Sequence, residues 1–507
     1  MKNSLLFIFC LFVSYRSVSQ TYTWATADSM YYSSLGTDLS LDHQGNLVVA
    51  ELNSPGASIL KYNSNDSLLF RIDVSGWMIR TPAVCTDAFN NIFLTLTLGS
   101  DLLVNGNTYT NGSMYLIKYD SSGVFQWIKQ ATGQAFSTAL STDGTGNVYV
   151  AGGFMDYASF DSLSITSPSV YQNYIATYSP TGVLRWVKHG SVDHFGGYPD
   201  IETDASGNTY ISGTFLRTVK FDSLTLTAYY PSGTQEDIYL AKIDSSGNWI
   251  WAVHAGGIYQ DNVSSLATDT KGNLYISGFI ASPTATFGNI GLVNTGANDY
   301  FVAKYDTSGT ALWAFNGGGS GGQYGGPLCI DSSEYIYMVS SSHFINKFDS
   351  LGNNLWWQNK SGANAAMIIN NRGNIYITGS FGDSIHFDNY HLTVNSAGSD
   401  RMYVAKLEFQ SSIVNINETK HNDAFLVYPN PSTSSITICC STPEVKTEFT
   451  LRVINSLGKT IHAESIKNTT GTFTKQLDVG TIPKGIYFIE LISDNGKKGQ
   501  AKKIIIQ

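Results

Sequence analysis

A short phrase that recurs seven times constrains the fold of this chain more than any other feature. It consists of a run rich in β-branched and aromatic residues, then Asp-x-x-Gly-Asn, then a second such run. An Asp carboxylate can accept backbone N–H bonds within a tight turn, and Gly and Asn tolerate positive φ, so the phrase predicts a β-hairpin. Successive copies are roughly 40 to 65 residues apart, which is the range of propeller repeats. Four copies are complete and three are degenerate, and they begin at Asp42, Asp87, Asp143, Asp204, Asp269, Asp331 and Asn370.

A second phrase follows these hairpins along the chain. It reads Ala-Lys-Tyr-Asp-x-Ser-Gly and leads to a large aromatic residue, as in Asp306, Gly309 and Trp313. This Asp-Ser-Gly turn predicts a second hairpin, whose aromatic residue packs between neighbouring sheets. A unit then holds four antiparallel strands, which is one blade of a β-propeller. In one copy the predicted strands are 263–268, 274–279, 300–305 and 311–315.

The two ends of the repeat region complement each other. The seventh unit ends at Phe409 without a Trp-bearing fourth strand, whereas residues 22–27, with Trp24, match that missing strand. A strand from the N-terminus that completes the last blade would pair the open edges of the ring. The sequence therefore predicts an all-β fold, with a seven-bladed β-propeller over 20–409 that is closed by an N-terminal strand.

The phrases Asp-x-x-Gly-Asn-x-Tyr-x-x-Gly-x-Phe and Ala-Lys-Tyr-Asp-x-Ser-Gly resemble the bacterial β-propeller repeat (SBBP) family over 22–409. The resemblance implies the propeller fold and implies no common reaction.

Residues 1–19 are predicted to be a signal peptide. Lys2 supplies a positive charge, Leu5–Val13 is an apolar run, and Ser17 and Ser19 form a small-residue cleavage site before Gln20. Export is expected, and nothing later in the sequence reaches the length of a membrane span. Cys10 leaves a lipoprotein as the alternative, which Phe9 before it disfavours.

The end of the chain lacks the repeat. Residues 410–424 are polar and are predicted to be a linker. Alternating apolar residues bounded by Pro and Asn-Gly turns then predict a small Ig-like β-sandwich over 425–507. Its motifs are Val427-Tyr428-Pro429-Asn430-Pro431, the segments 451–459 and 482–488, and the final 502–507.

The order of these motifs resembles the C-terminal sorting domain (type A) of the type IX (Por) secretion system of Bacteroidetes-like bacteria. The resemblance implies that the translocon and the sortase of that system recognise residues 425–507. It also implies that the tail is cleaved and that the protein is attached to surface lipopolysaccharide or released. We therefore expect a secreted or cell-surface protein, anchored at the outer membrane after export.

The sequence gives no pattern for catalytic, cofactor-binding or metal-binding residues, and none is predicted. The nine His residues are scattered without a His-x-x-x-His pair. Pyrroloquinoline quinone dehydrogenases have a similar Trp-bearing repeat, but its Gly lies four positions after the Asp, whereas here the Gly lies three positions after it. Calcium bound by the Asp turns stays an alternative to Asp simply capping its own hairpin. The net charge is −9, and the excess of acidic residues lies in 20–419, which argues against nucleic acid.

The mature chain holds four cysteines, too few for a disulfide framework. Cys85 and Cys329 occupy matching positions in two repeats and are predicted to be buried strand residues. Cys439 and Cys440 are adjacent and form either a vicinal disulfide or two free strand cysteines.

Six Asp-Ser-apolar triplets resemble the O-glycosylation acceptor pattern of such bacteria, and three of them belong to a Phe-Asp-Ser turn that the fold itself could explain (Phe160, Phe221 and Phe348). The triplets begin at Asp28, Asp66, Asp161, Asp222, Asp349 and Asp383.

The function predicted is that of a non-catalytic surface module, expected to be monomeric, that binds a glycan or protein ligand on one propeller face. The alternative is a secreted hydrolase or lyase that acts on polysaccharide in the central channel. Two or more carboxylates, or a His-acid pair, that converge in one pocket of the channel would contradict a role in binding alone. Three excursions rich in Gly, Tyr and Ser are either binding loops or plain connections, namely 191–199, 229–237 and 317–327.

Overall fold

The part of the chain that the structure describes is all-β. The computed structural model describes residues 20–28, 30, 33–168, 171–192, 199–319, 321–340, 344–359, 363–394, 400–409, 425–428, 434–441, 447–455, 460–468, 472–480, 482–483, 485–493 and 498–506. The chain divides into two compact units, Met1–Ser411 and Ser412–Gln507. The predicted signal peptide 1–19 and the predicted linker 410–424 lie outside the described residues.

Unit 1 contains the strands β1 to β37. Their bounds are β1 (Gln20–Ala27), β2 (Ser34–Leu41), β3 (Leu47–Asn53), β4 (Gly56–Tyr62), β5 (Leu68–Ser75), β6 (Ala83–Thr86), β7 (Ile92–Thr97), β8 (Leu102–Val104), β9 (Asn107–Tyr109), β10 (Met114–Tyr119), β11 (Phe125–Thr142), β12 (Val148–Phe160), β13 (Leu163–Thr166), β14 (Gln172–Tyr178), β15 (Leu184–His189), β16 (Ser191–Val192), β17 (Asp200–Thr203), β18 (Thr209–Phe215), β19 (Thr218–Phe221), β20 (Leu224–Thr227), β21 (Asp237–Ile243), β22 (Trp249–Gly257), β23 (Asp261–Thr268), β24 (Leu274–Ile280), β25 (Thr284–Phe287), β26 (Ile290–Val293), β27 (Asp299–Tyr305), β28 (Ala311–Gly317), β29 (Gly325–Ile330), β30 (Ile336–Ser340), β31 (Phe344–Phe348), β32 (Asn354–Asn359), β33 (Ala363–Ile369), β34 (Ile375–Phe381), β35 (Ser384–Phe387), β36 (Tyr390–Thr393) and β37 (Arg401–Phe409).

Within the described residues, most of these strands form seven antiparallel sets of four, which we number sheet 1 to sheet 7. The long strand β11 contributes to two sets, because its residues 125–131 pair with β10 and its residues 135–142 pair with β12. From the innermost strand outward the sets are β2-β3-β4-β5, β6-β7-β10-β11, β11-β12-β14-β15, β17-β18-β21-β22, β23-β24-β27-β28, β29-β30-β31-β32 and β33-β34-β37-β1.

Sheet 7 is completed by the N-terminal strand. β1 pairs antiparallel with β37, and Trp24 lies opposite Lys406 in that register. The Trp24 ring packs against Tyr62 of sheet 1, with ring centroids 5.2 Å apart. The pairing predicted from the resemblance of residues 22–27 to a fourth strand is thus present.

The innermost strands form a closed ring. β2, β6, β11, β17, β23, β29 and β33 contact one another in that order, and β33 contacts β2. Radial repetition of four-stranded antiparallel sheets is the arrangement of a β-propeller-like fold. The free edges of the seven innermost strands consequently surround the ring axis.

The Asp-x-x-Gly-Asn turns are held by their own aspartate. The Oδ1 atom of Asp42 accepts the backbone N–H groups of Gln44 and Asn46, at 2.9 and 2.8 Å, and its Oδ2 accepts the Asn46 side-chain amide at 2.8 Å. Gly45 has φ of 79°. Asp143, Asp204 and Asp269 make the same bonds. The predicted capping role of these aspartates is therefore observed.

A tryptophan on the outermost strand joins each of four sheets to the next. The Trp313 ring packs on Gly352 of the Asp-Ser-Gly turn of sheet 6, and its Nε1 donates to the Ser350 carbonyl at 3.0 Å. A Cβ on Gly352 would lie 2.8 Å from that ring. Trp127 on Gly182, Trp186 on Gly247 and Trp251 on Gly309 repeat the contact.

Five short hairpins, found in the described residues between the second and third strands of sheets 2, 3, 4, 5 and 7, were not predicted. They are β8–β9, the end of β12 with β13, β19–β20, β25–β26 and β35–β36. In three of them the first strand pairs with the outermost strand of the preceding sheet, as β25 does with β22. The hairpins therefore tie neighbouring sheets together.

These hairpins correct the prediction about the Phe-Asp-Ser turns. Phe160 and Phe221 are the last strand residues before hairpin turns, in which Asp161 and Asp222 have positive φ. Phe348 precedes the Asp-Ser-Gly turn of sheet 6 instead. The same three letters thus occur in two different turns.

Unit 2 contains two antiparallel sheets, with strand orders β38-β39-β42 and β41-β40-β43-β44. Ile436 and Leu477 of the first sheet share one apolar core with Leu451, Val453 and Ile489 of the second. The strands are β38 (Phe425–Tyr428), β39 (Ser435–Ser441), β40 (Thr447–Asn455), β41 (Thr460–Asn468), β42 (Thr472–Asp478), β43 (Gly485–Ser493) and β44 (Lys498–Ile506).

Candidate functional site: the central cavity

A cavity of about 950 Å³ lies inside the ring of innermost strands. All seven of these strands line it, and segment 78–82, which leads into sheet 2, lines it as well. Each innermost strand is the edge strand of its sheet. The N–H and C=O groups on its free edge, which faces the ring axis, therefore need partners other than a neighbouring strand.

Side chains of the adjacent sheet supply those partners. Asp38 Oδ2 accepts the Val84 N–H at 2.9 Å, and Asp200 Oδ2 accepts the Leu266 N–H at 3.0 Å. The Oδ1 of each aspartate accepts the N–H of the next residue in its own strand, at 2.8 Å for Asp38 and 2.9 Å for Asp200. Both carboxylates therefore connect neighbouring sheets.

Threonine hydroxyls satisfy the edge carbonyls in the same way. Thr37 Oγ1 donates to the Pro82 carbonyl at 2.7 Å, and Thr138 Oγ1 donates to the Pro199 carbonyl at 2.7 Å. Thr37 and Thr138 each occupy a β-bulge of an innermost strand. A β-bulge inserts one extra residue that has no pairing partner, and the side chain of that residue can point in a different direction. Here it directs the two hydroxyls to the next sheet.

Glu202 differs from the other carboxylates of the cavity. It lies two residues before the turn aspartate of its sheet, a position that Ser40, Cys85 and Ser141 occupy elsewhere. Within the described chain, no hydrogen bond engages its carboxyl group. Burial, and secondarily the charge of Asp200, raises its pKa to about 8. Glu202 is thus a cavity carboxyl that is available to a ligand.

The pKa values of the two aspartates are raised as well. Burial raises the pKa of Asp38 to about 7 and that of Asp200 to about 6, although backbone N–H groups partly oppose the shift. At the cavity lining, the Arg80 guanidinium stands over the Phe136 ring, 4.8 Å from its centroid. Near neutral pH some of the cavity carboxyl groups are therefore protonated and uncharged. Such a cavity favours neutral or cationic ligands over polyanions.

The sequence did not predict this set of carboxylates. Asp38 and Asp200 belong to sheets that are far apart in sequence, and each stands four residues before the first residue of a turn. That recurrence in two of the seven copies was the available signal. Asp38, Asp200 and Glu202 line one cavity, which is the arrangement expected to contradict a role in binding alone, and the enzymatic alternative gains weight from it.

The three Gly- and Tyr-rich excursions have separate outcomes. Residues 193–198 lie outside those described. Tyr229 stacks on His254, with centroids 4.6 Å apart, and its N–H donates to Asp237 at 2.6 Å. Tyr324 packs edge-on against Phe279. These two tyrosines thus have structural contacts, although Tyr324 remains 43% exposed.

A second depression of about 850 Å³, here called the rim groove, lies where sheets 1, 2 and 7 meet. Trp77 lines it and is 72% exposed. Leu103 is a further apolar residue of the lining, and Asn53 and Asp101 supply polar groups. An exposed indole beside amide and carboxylate groups is suited to an amphipathic ligand.

The cysteines agree with the sequence where they are described. Cys85 and Cys329 are free and buried, as predicted, and burial raises the pKa of both thiols. Cys439 and Cys440 lie in β39, but their side chains are outside the described part.

Among the described residues, no group of three or more His, Cys, Asp and Glu side chains is placed to hold a metal ion. No helix long and apolar enough to cross a bilayer occurs in this part of the chain.

Comparison with known proteins divides the chain in the same way as the structure. Residues 426–507 match the family described as the secretion system C-terminal sorting domain. This tail indicates export through the type IX secretion system. Segments 429–433, 456–459 and 494–497 of the matched region lie outside the described residues.

The other likenesses are distant. A WD repeat-containing protein of Acanthamoeba polyphaga mimivirus is 25% identical over 249 residues, which is 40% of this chain and 18% of the viral protein. BamB from Moraxella catarrhalis is similar at a TM-score of 0.37 and 14% identity, over 78% of this chain and 98% of that one. The Pan2 WD40 domain of Neurospora crassa gives a TM-score of 0.42 at 10% identity, over 76% and 95%.

Proposed function

We propose that unit 1 is a closed seven-bladed β-propeller of the SBBP type, that unit 2 is an Ig-like sandwich, and that the protein is a non-catalytic, monomeric binding module at the cell surface. The seven four-stranded sheets, the ring of innermost strands and the pairing of β1 with β37 support the propeller. The proposed partners are the type IX translocon and sortase for the tail, and a glycan for the propeller.

One observation carries the choice of binding over catalysis. In Asp38 and in Asp200, each of the two carboxylate oxygens accepts a backbone N–H group. One of these two bonds connects the aspartate to the neighbouring sheet. Glycoside hydrolysis ordinarily requires two carboxyl groups free to act on the substrate. Of the three carboxyl groups among the described cavity residues, only that of Glu202 is free of such bonds. The rim groove, with Trp77 exposed beside Asn53 and Asp101, supports a glycan ligand.

The binding proposal is tested by a screen of the exported protein against glycans and matrix proteins. We expect a glycan to bind, Trp77→Ala to lose binding, and Tyr259→Ala to retain it, since Tyr259 is an exposed aromatic residue outside the groove. If the Trp77→Ala variant still binds the glycan, the rim groove is not the binding site, although the proposal of a binding module stands. A screen without any ligand would count against the module itself.

The sorting proposal is tested by deletion of residues 425–507. Without the tail the protein should accumulate in the periplasm, whereas the full chain should reach the cell surface, where we propose that it is anchored or released after cleavage. Surface display of the truncated protein would contradict the role of the tail.

A second function is favoured by Glu202. With a pKa of about 8 its carboxyl is protonated at neutral pH, as a general acid must be. A hydrolase or lyase in the cavity would degrade polysaccharide, and Glu202→Gln would abolish that activity while Trp77→Ala preserved it. If polysaccharides incubated with the exported protein stay intact, the enzymatic candidate is rejected.

A further inference from the structure

Two histidines face each other on the hairpin β35–β36 of sheet 7. His386 and His391 are directly opposite in the register of this hairpin. Their rings are stacked, with centroids 3.9 Å apart and an angle of 16° between the planes. Both residues are exposed to solvent. In the sequence they are two of nine scattered histidines, with four residues between them.

The hairpin holds the two imidazoles on a fixed backbone. Ile385 and Phe387 point to the opposite face and are buried in the core of sheet 7. The Tyr22 N–H of β1 donates to Asp388 Oδ2 at 2.7 Å, and the Tyr390 hydroxyl donates to the Thr23 carbonyl. Alternation along each strand then leaves both histidines on the solvent side.

Imidazole nitrogen is a common ligand of divalent transition metals. Directly opposed residues of antiparallel strands have Cβ atoms about 4.5–5.5 Å apart. In the stacked arrangement the nitrogen lone pairs lie in nearly parallel planes, so one ion reaches a nitrogen of each ring only after the exposed imidazoles rotate out of the stack. We propose that His386 and His391 together bind one Cu²⁺, Ni²⁺ or Zn²⁺ ion. Its remaining coordination positions are open to water or to a donor group of a bound molecule. This site goes beyond the proposed binding module and does not depend on it.

The other hairpins provide internal controls. None of their residues at the corresponding register is a histidine, a cysteine or a carboxylate. These pairs are Leu103 with Thr108, Ser159 with Ser164, Lys220 with Thr225, and Thr286 with Gly291. The pair on β35–β36 is thus distinguished by its side chains and not by its backbone.

The test is a titration of the exported protein, produced without a polyhistidine tag, with Cu²⁺ and with Zn²⁺ by calorimetry. We expect one ion to bind per chain. Each single variant, His386→Asn or His391→Asn, should reduce the affinity as far as the double variant does. Electron paramagnetic resonance of the Cu²⁺ form should show two imidazole nitrogens. Full affinity in either single variant would overturn the proposal.

A transplant separates metal binding from any effect on folding. Lys220 and Thr225 are both exposed on the hairpin of sheet 4. In the otherwise unchanged protein, Lys220→His with Thr225→His should raise the stoichiometry from one ion to two. A stoichiometry that stays at one would contradict the inference that opposed histidines on this hairpin suffice to form the site.

Discussion

At the scale of single residues, the turn glycines of unit 1 have two different roles. Gly373 in the first turn of sheet 7 and Gly352 in the Asp-Ser-Gly turn of sheet 6 have nearly the same φ, 83° and 85°. An added Cβ would meet nothing within 4 Å at Gly373, but would come within 2.8 Å of the Trp313 ring at Gly352. The first glycine therefore serves the turn, and the second serves the turn and the contact between sheets.

Substitution of Gly373 and of Gly352 measures separately the free-energy cost of a strained turn and the cost of a lost contact between sheets. Gly373→Ala should lower the free energy of unfolding by about 1 kcal/mol, because a non-glycine residue is strained at positive φ. Gly352→Ala should cost about 2–4 kcal/mol, since the methyl group also displaces Trp313. Urea unfolding of both variants checks this, and equal losses would show that the ring moves away without cost.

At the scale of elements, an arginine secures the junction between β1 and sheet 1. The Arg71 Nη1 lies 3.1 Å from Asp28, which directly follows β1, and its Nη2 lies 2.7 Å from the buried Glu51. Its Nε lies 2.7 Å from Asp73. Burial and the proximity of Asp28 raise the pKa of Glu51 to about 7, and Arg71 opposes that rise.

Removal of this guanidinium should weaken the closure of the ring. Arg71→Met should cost about 3–5 kcal/mol in the free energy of unfolding, because it leaves Glu51 as an uncompensated buried acid. Adding Glu51→Gln should recover part of that loss. Lys129→Met breaks the more exposed pair with Asp161 and should cost at most about 1 kcal/mol. Chemical unfolding that gives Arg71→Met the same small loss as Lys129→Met would refute the role of this junction.

At the scale of the whole molecule, the cavity couples folding to pH. Asp38, Asp200 and Glu202 have pKa values of about 7, 6 and 8 in the folded protein, above the roughly 3.9–4.3 of free carboxyl groups. The folded state therefore binds more protons than the unfolded state between these values. Stability that these groups contribute is complete below about pH 4 and is lost as pH rises through 6 to 8.

Other carboxyl groups act in the opposite direction at lower pH. Burial alone would raise the pKa of Asp42, but hydrogen bonds from Asn46 and Lys61 hold it below its usual value, and Asp143 is held low by its own turn. Their contribution is lost as pH falls below about 4. The protein should therefore be most stable between about pH 4 and 6.

The variant Glu202→Gln isolates the cavity contribution, because the Glu202 carboxyl has no hydrogen bond to lose within the described residues. Between pH 6 and 9 the melting temperature of the native protein should fall more steeply than that of the variant. Thermal unfolding in buffers matched for ionic strength measures both slopes. Parallel slopes would mean that Glu202 is charged at neutral pH and that the cavity is better hydrated than its burial indicates.

Much of unit 1 could be predicted because its signals are local. The predicted strands 263–268 and 274–279 correspond to Asp261–Thr268 and Leu274–Ile280, since Asp269 and Gly272 specify the turn between them. The five extra hairpins were missed because their paired segments are only three or four residues long. Short alternation of that kind resembles an ordinary loop.

The sequence by itself determined the turns, the repeat and the strand at Trp24, because each depends on residues that are adjacent along the chain. The tertiary structure alone decided which side chains share a site. Glu202 meets Asp38 around one cavity only because the innermost strands close into a ring, and His386 meets His391 only because a hairpin sets their register. Such contacts depend on which edges pair, and that choice is made by the packing of whole sheets.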